Sequence, residues 1–461
     1  MAKKRSPEEK RTYMLTTPMP RLVTSMALPS IAAMLVTGAY NLADTFFVSH
    51  LGTYATGAVG VNSSIDQIIM MAGSLFAVGA ASFTSRLLGA KADKHAKEVL
   101  STCFFLAVLF GILVLIFGNI FQVPMLRMLG ANDTIMPYSE QYCRYILLAA
   151  PFMASSFVLN QCLRAEGSSL YSMIGMVTGA VLNIGLDPLF IFTFGWGVAG
   201  ASAATAISKL VSWCILMIPY LRRRTLLSIR LRDFRLRWGD AKEVCAMGSS
   251  SFFRTGLSTL AAIVLNRMAI GYGESALAAI SVANRITMFL TAACLGFGQG
   301  FQPVAGYSWG AQRYDRVREG LFFSMKACVI GISIVSLAVA LLAKPLLLLF
   351  TEDDMELVRI GVFSLRVQCA AMPFHGFGII TNMCCAGIGR ALPSLLMGLA
   401  RQGIFFFPIL PIVSYLGGVW GVAAVQGIAD ALVMFLAVPI CIRLLRDVRQ
   451  KEKDPSPEPY I

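Results

Sequence analysis

The sequence predicts an all-α polytopic membrane protein of twelve transmembrane helices, arranged as two pseudo-symmetric six-helix lobes. Three observations carry this. Of 461 residues, 56% are hydrophobic and 14% charged, against roughly a quarter charged in soluble domains, and the mean hydropathy is +0.68. About twelve apolar runs have the length that a bilayer demands of a helix. These runs form two sets that share residue types at matched positions. The short alternating segments of a β-barrel are absent.

The first span runs near residues 22–46. It holds Pro29, placed to bend the helix, and Asn41 and Asp44, which share a helical face. The second span, 56–84, contains Asp66 and Gln67; the third is 97–121; the fourth, 137–163, carries Tyr142. The fifth, 170–194, holds Asn183, Asp187 and Pro188, and the sixth, 198–221, holds Thr205 within the small-residue run Ala201 to Ala206. The second set runs near 247–270, 277–305, 317–343, 357–385, 391–415 and 418–446. Gln299 and Gln302 lie in its second span and Asp430 in its last, while Arg254, Arg267, Arg285 and Arg401 are in or near its spans.

Basic residues occupy alternate loops: Arg86, Lys91, Lys94 and Lys97; Arg164; Arg222, Arg223 and Arg224; Arg313, Arg316 and Arg318; and Arg390. Lys3, Lys4, Arg5, Arg443, Arg446 and Arg449 at the ends join them. The opposite loops are short or acidic, with Glu352, Asp353 and Asp354, and with Arg127 and Lys344 near their edges. The positive-inside rule therefore places both termini in the cytoplasm. The division that follows is a tail at 1–20, a first lobe at 21–221, a cytoplasmic linker at 222–246, a second lobe at 247–446 and a tail at 447–461. The net charge of +14 is accounted for by these loops and ends, which argues against a nucleic-acid partner. The polar start of the chain carries no cleavable signal pattern.

The repeat is legible residue by residue. Leu88-Gly89-Ala90 matches Trp309-Gly310-Ala311, and Gly197, Val198 and Gly200 match Gly418, Val419 and Gly421. Arg144, Pro151, Asn160 and Gly167 match Arg366, Pro373, Asn382 and Gly389. Two six-span halves of one orientation imply a pseudo-two-fold axis along the membrane normal with substrate between the lobes.

Charge inside a span is expensive and marks function by default. Asn183 and Asp187 stack one turn apart, and Pro188 frees the carbonyl of Ile184, so side-chain and backbone oxygens converge. Such oxygens suit a hard cation or a proton relay. The second half has Phe405 and Ile409 at those two positions and Leu265 opposite Asp44, so the scaffold itself does not require the carboxylates. Thr205 offers a hydroxyl ligand or a helix-packing contact, and Tyr142 a phenol or an interfacial anchor. Asn41, Asp66, Gln67, Gln299, Gln302 and Asp430 are candidates to line a substrate cavity, against the plainer reading of locally bonded polar groups. Most of the 11 cysteines fall in apolar runs, and the three histidines His50, His95 and His375 are scattered, so neither a metal cluster nor another cofactor is expected. No nucleophile–base cluster, phosphate loop or repeated filter loop points to an enzyme or a channel.

Arg164-Ala165-Glu166-Gly167, then Leu182-Asn183-Ile184-Gly185-Leu186-Asp187-Pro188, then Gly195-Trp196-Gly197-Val198-Ala199-Gly200-Ala201 form an ordered set. It resembles the multidrug and toxic compound extrusion (MATE) family, and Gly300-Phe301-Gln302-Pro303 with Tyr307, Gly310 and Ala311 resembles its second-lobe counterpart. The resemblance runs roughly from Pro20 to Arg446, closest to the DinF-like and MepA-like bacterial branches. A branch with carboxylates in the seventh and tenth spans fits poorly, because those spans offer Arg254 and His375. The resemblance implies a V-shaped fold and cation-coupled efflux, with Asp44, Asn183, Asp187 and Thr205 forming the cation site and Tyr142 nearby. The reading that follows is a monomeric H⁺- or Na⁺-driven antiporter of a bacterial plasma membrane, exporting amphipathic organic cations. It takes a monovalent ion, holds no metal or other cofactor, and has small organic molecules and the bilayer as partners. A flippase for a lipid-linked precursor is the alternative that Arg254, Arg267 and Arg285 support.

Overall fold

The protein is represented by a computed structural model that describes residues 7–223, 225–350 and 354–453. Lys3, Lys4, Arg5, Arg224, Glu352 and Asp353 lie outside the described residues. Among those described, every regular element is helical. A short helix α1 (Pro7–Thr16) precedes α2 (Met19–Ser49), α3 (Thr53–Gly89) and α4 (Asp93–Ile120). Then come α5 (Gln122–Met128), α6 (Met136–Ala165), α7 (Ser169–Pro188) and α8 (Gly197–Leu221). The second half comprises α9 (Trp238–Ile270), α10 (Glu274–Gly310), α11 (Tyr314–Leu341), α12 (Ala343–Leu348), α13 (Met355–Gly387), α14 (Ala391–Leu399) and α15 (Phe406–Lys453).

Ten described helices are long and apolar enough to cross a membrane, and Ala391–Lys453 counts among them as one continuous run. That run breaks at Gly418, whose φ of 56° and ψ of −133° are not helical. The chain therefore supplies two spans there. Helix α9 has spanning length, but Arg254, Asn266 and Arg267 lower its hydropathy. These two points reconcile ten with the twelve spans read from the sequence. Leu109, Leu113, Ile116, Phe117 and Ile120 on α4 are exposed, as are Ile334, Leu337 and Leu341 on α11. Exposed apolar stripes at helical spacing are what lipid-facing surfaces require.

The chain divides into two compact units, described separately. The first contains residues up to Thr17 and Ala32–Phe252; the second contains Pro18–Ile31 and Phe253 onward. The division departs from the sequence-based boundaries in one respect: the N-terminal parts of α2 and α9 are exchanged. In the first unit, a Cβ on Gly79 of α3 would strike the Val244 carbonyl of α9. In the second, a Cβ on Gly300 of α10 would strike the Ala27 backbone of α2. Glycine at each position permits helix-to-helix approach that no side chain allows. The exchanged stretch ends at Ile31, two residues past Pro29, which sits inside the unbroken helix α2.

Within the first unit, α6 packs against α3, α4, α7 and α8; within the second, its counterpart α13 packs against α10, α11, α14 and α15. Gly197 and Gly418 both have φ of 56° and start the matched helical stretches. The polar segment between the halves is tied down along its length. Thr102 exchanges hydrogen bonds with the backbone of Arg235 at 3.0 and 3.1 Å, and Glu98 pairs with Arg237 at 2.8 Å. His95 meets Asp240 at 3.0 Å and Arg86 meets Glu243 at 2.6 Å. Helix α1 docks on the same unit through Arg11–Asp93 at 2.5 Å and through Lys10, which donates to Ser168 at 2.8 Å.

Candidate functional site

Helix α7 ends at Pro188 and continues as a π turn, Leu189–Thr193. Proline lacks the N–H that would close the preceding α-turn, and such widened turns are frequent at functional sites. Just before it, Asn183 and Asp187 stack one turn apart, and both are buried. The Asn183 amide donates to Asp187 Oδ1 at 3.3 Å and to Thr205 Oγ of α8 at 3.2 Å. One amide thereby orients both oxygens. Its own carbonyl oxygen, Asn183 Oδ1, and Asp187 Oδ2 are buried without a hydrogen-bond partner.

Asp44 from α2 and Asp66 from α3 add a second set of oxygens. Each keeps one buried carboxylate oxygen, Oδ1, without a hydrogen-bond partner. Asp44 lies within electrostatic range of Asp187, and Tyr142 of α6, itself buried, lies within range of Asp44, Asp66 and Asp187. Hydrogen bonds join Asn183, Asp187 and Thr205, and Asp44, Asp66 and Tyr142 lie within electrostatic range of one another in the same unit. Buried oxygens with no partner are costly in a core. An all-oxygen donor set of this kind can accept a monovalent cation or a proton.

Two members of this interior were not singled out from the sequence. Lys209, one turn beyond Thr205 on α8, interacts electrostatically with Asp44 and Asp66. Its Nζ stands 5.0 Å from the centre of the Tyr40 ring, a cation–π contact. A lone cation in an apolar span was the available signal. Two carboxylates, Asp44 and Asp66, then face one ammonium, and Asp187 lies within electrostatic range of Asp44.

The other candidates are placed elsewhere. Asn41 is exposed, and its carbonyl accepts from Thr45 at 2.9 Å. Gln67 is half-buried on α3. Gln299, Gln302 and Asp430 belong to the second unit, where Gln302 and Asp430 are buried. Among the described residues, no group of three or more His, Cys, Asp or Glu side chains is arranged to hold a metal ion.

The family model MatE matches residues 29–189 and 251–412, which is more than half of the chain. The chain belongs to the MatE family. Its matched regions fall one in each half and include Asp44, Asn183 and Asp187. The chain is similar to the multidrug export protein MepA of Staphylococcus aureus (strain N315), with 28% identity over 445 residues, 95% of this chain and 97% of that protein. It is 26% identical over 422 residues to the MepA of Staphylococcus saprophyticus, covering 91% and 93% of the two chains. Among solved structures, an outward-facing multidrug resistance MATE family transporter of the MOP superfamily is similar at a TM-score of 0.90 and 26% identity. That likeness covers 95% of this chain and 98% of the other. As a MatE protein the chain is a multi-pass membrane protein with an all-helical fold.

Proposed function

We propose that this MatE protein is a cation-coupled antiporter that exports amphipathic, cationic organic compounds across a bacterial plasma membrane, with both termini cytoplasmic. The observation that carries the reading is the buried Asn183–Asp187–Thr205 group with its unpartnered oxygens, within electrostatic range of Asp44. The names of the MepA relatives support multidrug export as the class of work. H⁺ or Na⁺ is the coupling ion, taken up by Asp44 and Asp187 with Asn183, Thr205 and Tyr142 around it. An ion drives a transporter only through different affinity for its two states. Here that difference arises when the oxygens are brought together in one state and separated in the other. The bend expected at Pro29 is where α2, which carries Asp44, changes shape. The antiporter works as a monomer, and no cofactor enters the cycle.

The test is efflux of a fluorescent organic cation from drug-sensitive bacteria, comparing wild type with Asp187→Asn at equal membrane expression. The amide keeps the shape and removes the charge. Loss of efflux in the variant alone supports the reading, and efflux equal to wild type overturns it.

A further inference from the structure

The second unit holds a cavity of ≈ 140 Å³ among α9, α10, α13, α14, α15 and a π turn, Ala400–Phe405, that follows α14. Ile379, Met383, Met397 and Val433 give it apolar walls. Two polar residues of its lining are His375 of α13 and Gln402 of the π turn, 7% and 9% exposed. Each has one atom, His375 Nε2 and Gln402 Oε1, buried without a hydrogen-bond partner. The π turn that carries Gln402 is the kind of local widening that recurs at binding sites.

The neighbours of these two atoms decide what they can bind. His375 Nδ1 stands 3.3 Å from Asp430 Oδ1. Arg401, beside Gln402 in the turn, has its Nε 2.5 Å from the same oxygen and donates from Nη2 to Asp430 Oδ2 at 3.1 Å. Arg401 balances the charge of Asp430, so the His375 ring needs none of its own. Its single proton sits on Nδ1, toward the carboxylate, and Nε2 keeps a bare lone pair. Gln402 Oε1 is likewise an acceptor. The cavity therefore offers two acceptors that lack donors. A carboxylate or phosphate dianion has no donor to give them. A cation would meet the guanidinium groups of Arg401 and of Arg254, which borders the cavity and is already engaged. An uncharged head that donates hydrogen bonds satisfies both conditions.

The geometry points to a binding site in the second unit for a small uncharged molecule with an NH₂ head, which donates to His375 Nε2 and Gln402 Oε1 while Met383, Met397 and Ile379 enclose its apolar body. Two N–H donors on one nitrogen match the two acceptors in number. Size sets the class of ligand. A drug-sized molecule fills about 300–1,000 Å³, whereas an apolar cavity of about 150 Å³ takes one benzene ring. An arylamine or a small primary carboxamide meets both requirements. Asp430 and Arg401 are positioning residues: the carboxylate fixes which nitrogen of His375 carries the proton, and the guanidinium holds the carboxylate. The site belongs to a different unit from Asn183, Asp187 and Thr205. It does not depend on the proposed efflux activity, because binding is read without transport.

The chain has three histidines, His50, His95 and His375, so the ring can be watched directly. The experiment is nitrogen NMR of the full chain in phosphatidylcholine nanodiscs, with isotope-labelled histidine, titrated with aniline and with toluene. The two compounds share a shape, and toluene has no N–H. Signals that persist in both His50→Gln and His95→Gln belong to His375. Before any addition, His375 Nε2 should resonate as an unprotonated nitrogen without a hydrogen bond. Aniline should move that signal saturably toward the hydrogen-bonded position, and toluene should not. Gln402→Leu should weaken the aniline response about tenfold, the worth of one hydrogen bond. Met397→Trp, which fills the cavity and leaves every polar group in place, should abolish the response and is the deciding variant if Gln402→Leu does not fold. An Nε2 that is protonated or hydrogen-bonded before any addition overturns the proposal, the second case assigning the cavity to water. No response to aniline, equal responses to the two compounds, or an aniline response that survives Met397→Trp also overturns it.

Discussion

Lys209 and Asp430 occupy equivalent positions in the two halves, each twelve residues past a glycine whose φ is 56°. The same place in the repeat thus carries opposite charge, and each charge has drawn opposite partners around it. Lys209 faces Asp44 and Asp66, and Asp430 faces Arg401 and His375. One unit has become an acidic interior with a single cation, and the other a basic interior with a single anion.

Removing the internal cation should strengthen the hold on an external one. Lys209→Gln leaves Asp44 and Asp66 without their fixed counter-charge. The concentration of H⁺ or Na⁺ giving half-maximal efflux should fall by about tenfold or more, since a unit charge a few ångströms away is worth about a kcal/mol or more even when well screened. Efflux measured against pH and against Na⁺ checks this. An unshifted midpoint would place Lys209 outside the coupling site.

Asn183 should matter to both fold and ion. Its amide is the donor for Asp187 and Thr205, so Asn183→Leu leaves a buried carboxylate and a hydroxyl without that donor. The expected loss is about 1–3 kcal/mol, read as a lower Tm in detergent. Thr205→Val removes one oxygen and no buried donor to the carboxylate, and should cost less stability while weakening ion affinity.

The Arg401–Asp430 pair invites a double-mutant cycle. Asp430 is fully buried, so Asp430→Leu or Arg401→Met alone leaves a charge without its main counterpart and should cost about 3–5 kcal/mol. The double variant should cost clearly less than the two single losses added, with a coupling of about 1–3 kcal/mol. Thermal unfolding of the four proteins gives the answer.

Stability should also depend on Glu166, which sits in the turn between α6 and α7. Burial pushes its carboxyl up to about 7, with Lys10 and the Leu226 and Leu227 N–H groups working in the other direction. The folded state therefore holds this proton more tightly than the unfolded chain, whose value is near the ordinary 4.5. The stabilisation is full below that ordinary value and is lost as pH rises toward 7. Wild-type Tm should fall across this window by the equivalent of roughly 3 kcal/mol, while Glu166→Gln should show a flatter profile.

The close approach at Gly300 is testable by a single methyl group. Gly300→Ala places a Cβ against the Ala27 backbone and should cost about 1–3 kcal/mol. Gly185→Ala, where nothing lies within 4 Å of the new atom, should be neutral or slightly stabilising.

The helical spans, the repeat and the grouping of Asn183 with Asp187 and Pro188 follow from local spacing, so they are legible in a linear chain. Lys209 was not, because its meaning comes from Asp44 and Asp66, which stand on helices far away in sequence. The link between Arg401 and Asp430 is hidden for the same reason: 29 residues and a break at Gly418 separate them. Asp430 alone reads as a polar residue in a span, and His375 as a substitute for an acid. The exchange of helix beginnings is invisible to hydropathy, since an apolar face does not reveal which half covers it. The glycines at 79, 248, 296 and 300 are the hint that something must come close.

That exchange has a consequence for biogenesis. The ribosome delivers the first unit's helices α3 to α8 before the start of α9, yet Gly79 waits for Val244 to cover it. The opening stretch of α2 waits longer still, because its own neighbour, Gly300 on α10, emerges some 270 residues after Ala27. At about 5–20 residues per second of synthesis, each half spends many seconds inserted but unfinished. A truncated product ending near Leu221 should therefore be a substrate for membrane quality control rather than a stable half-transporter.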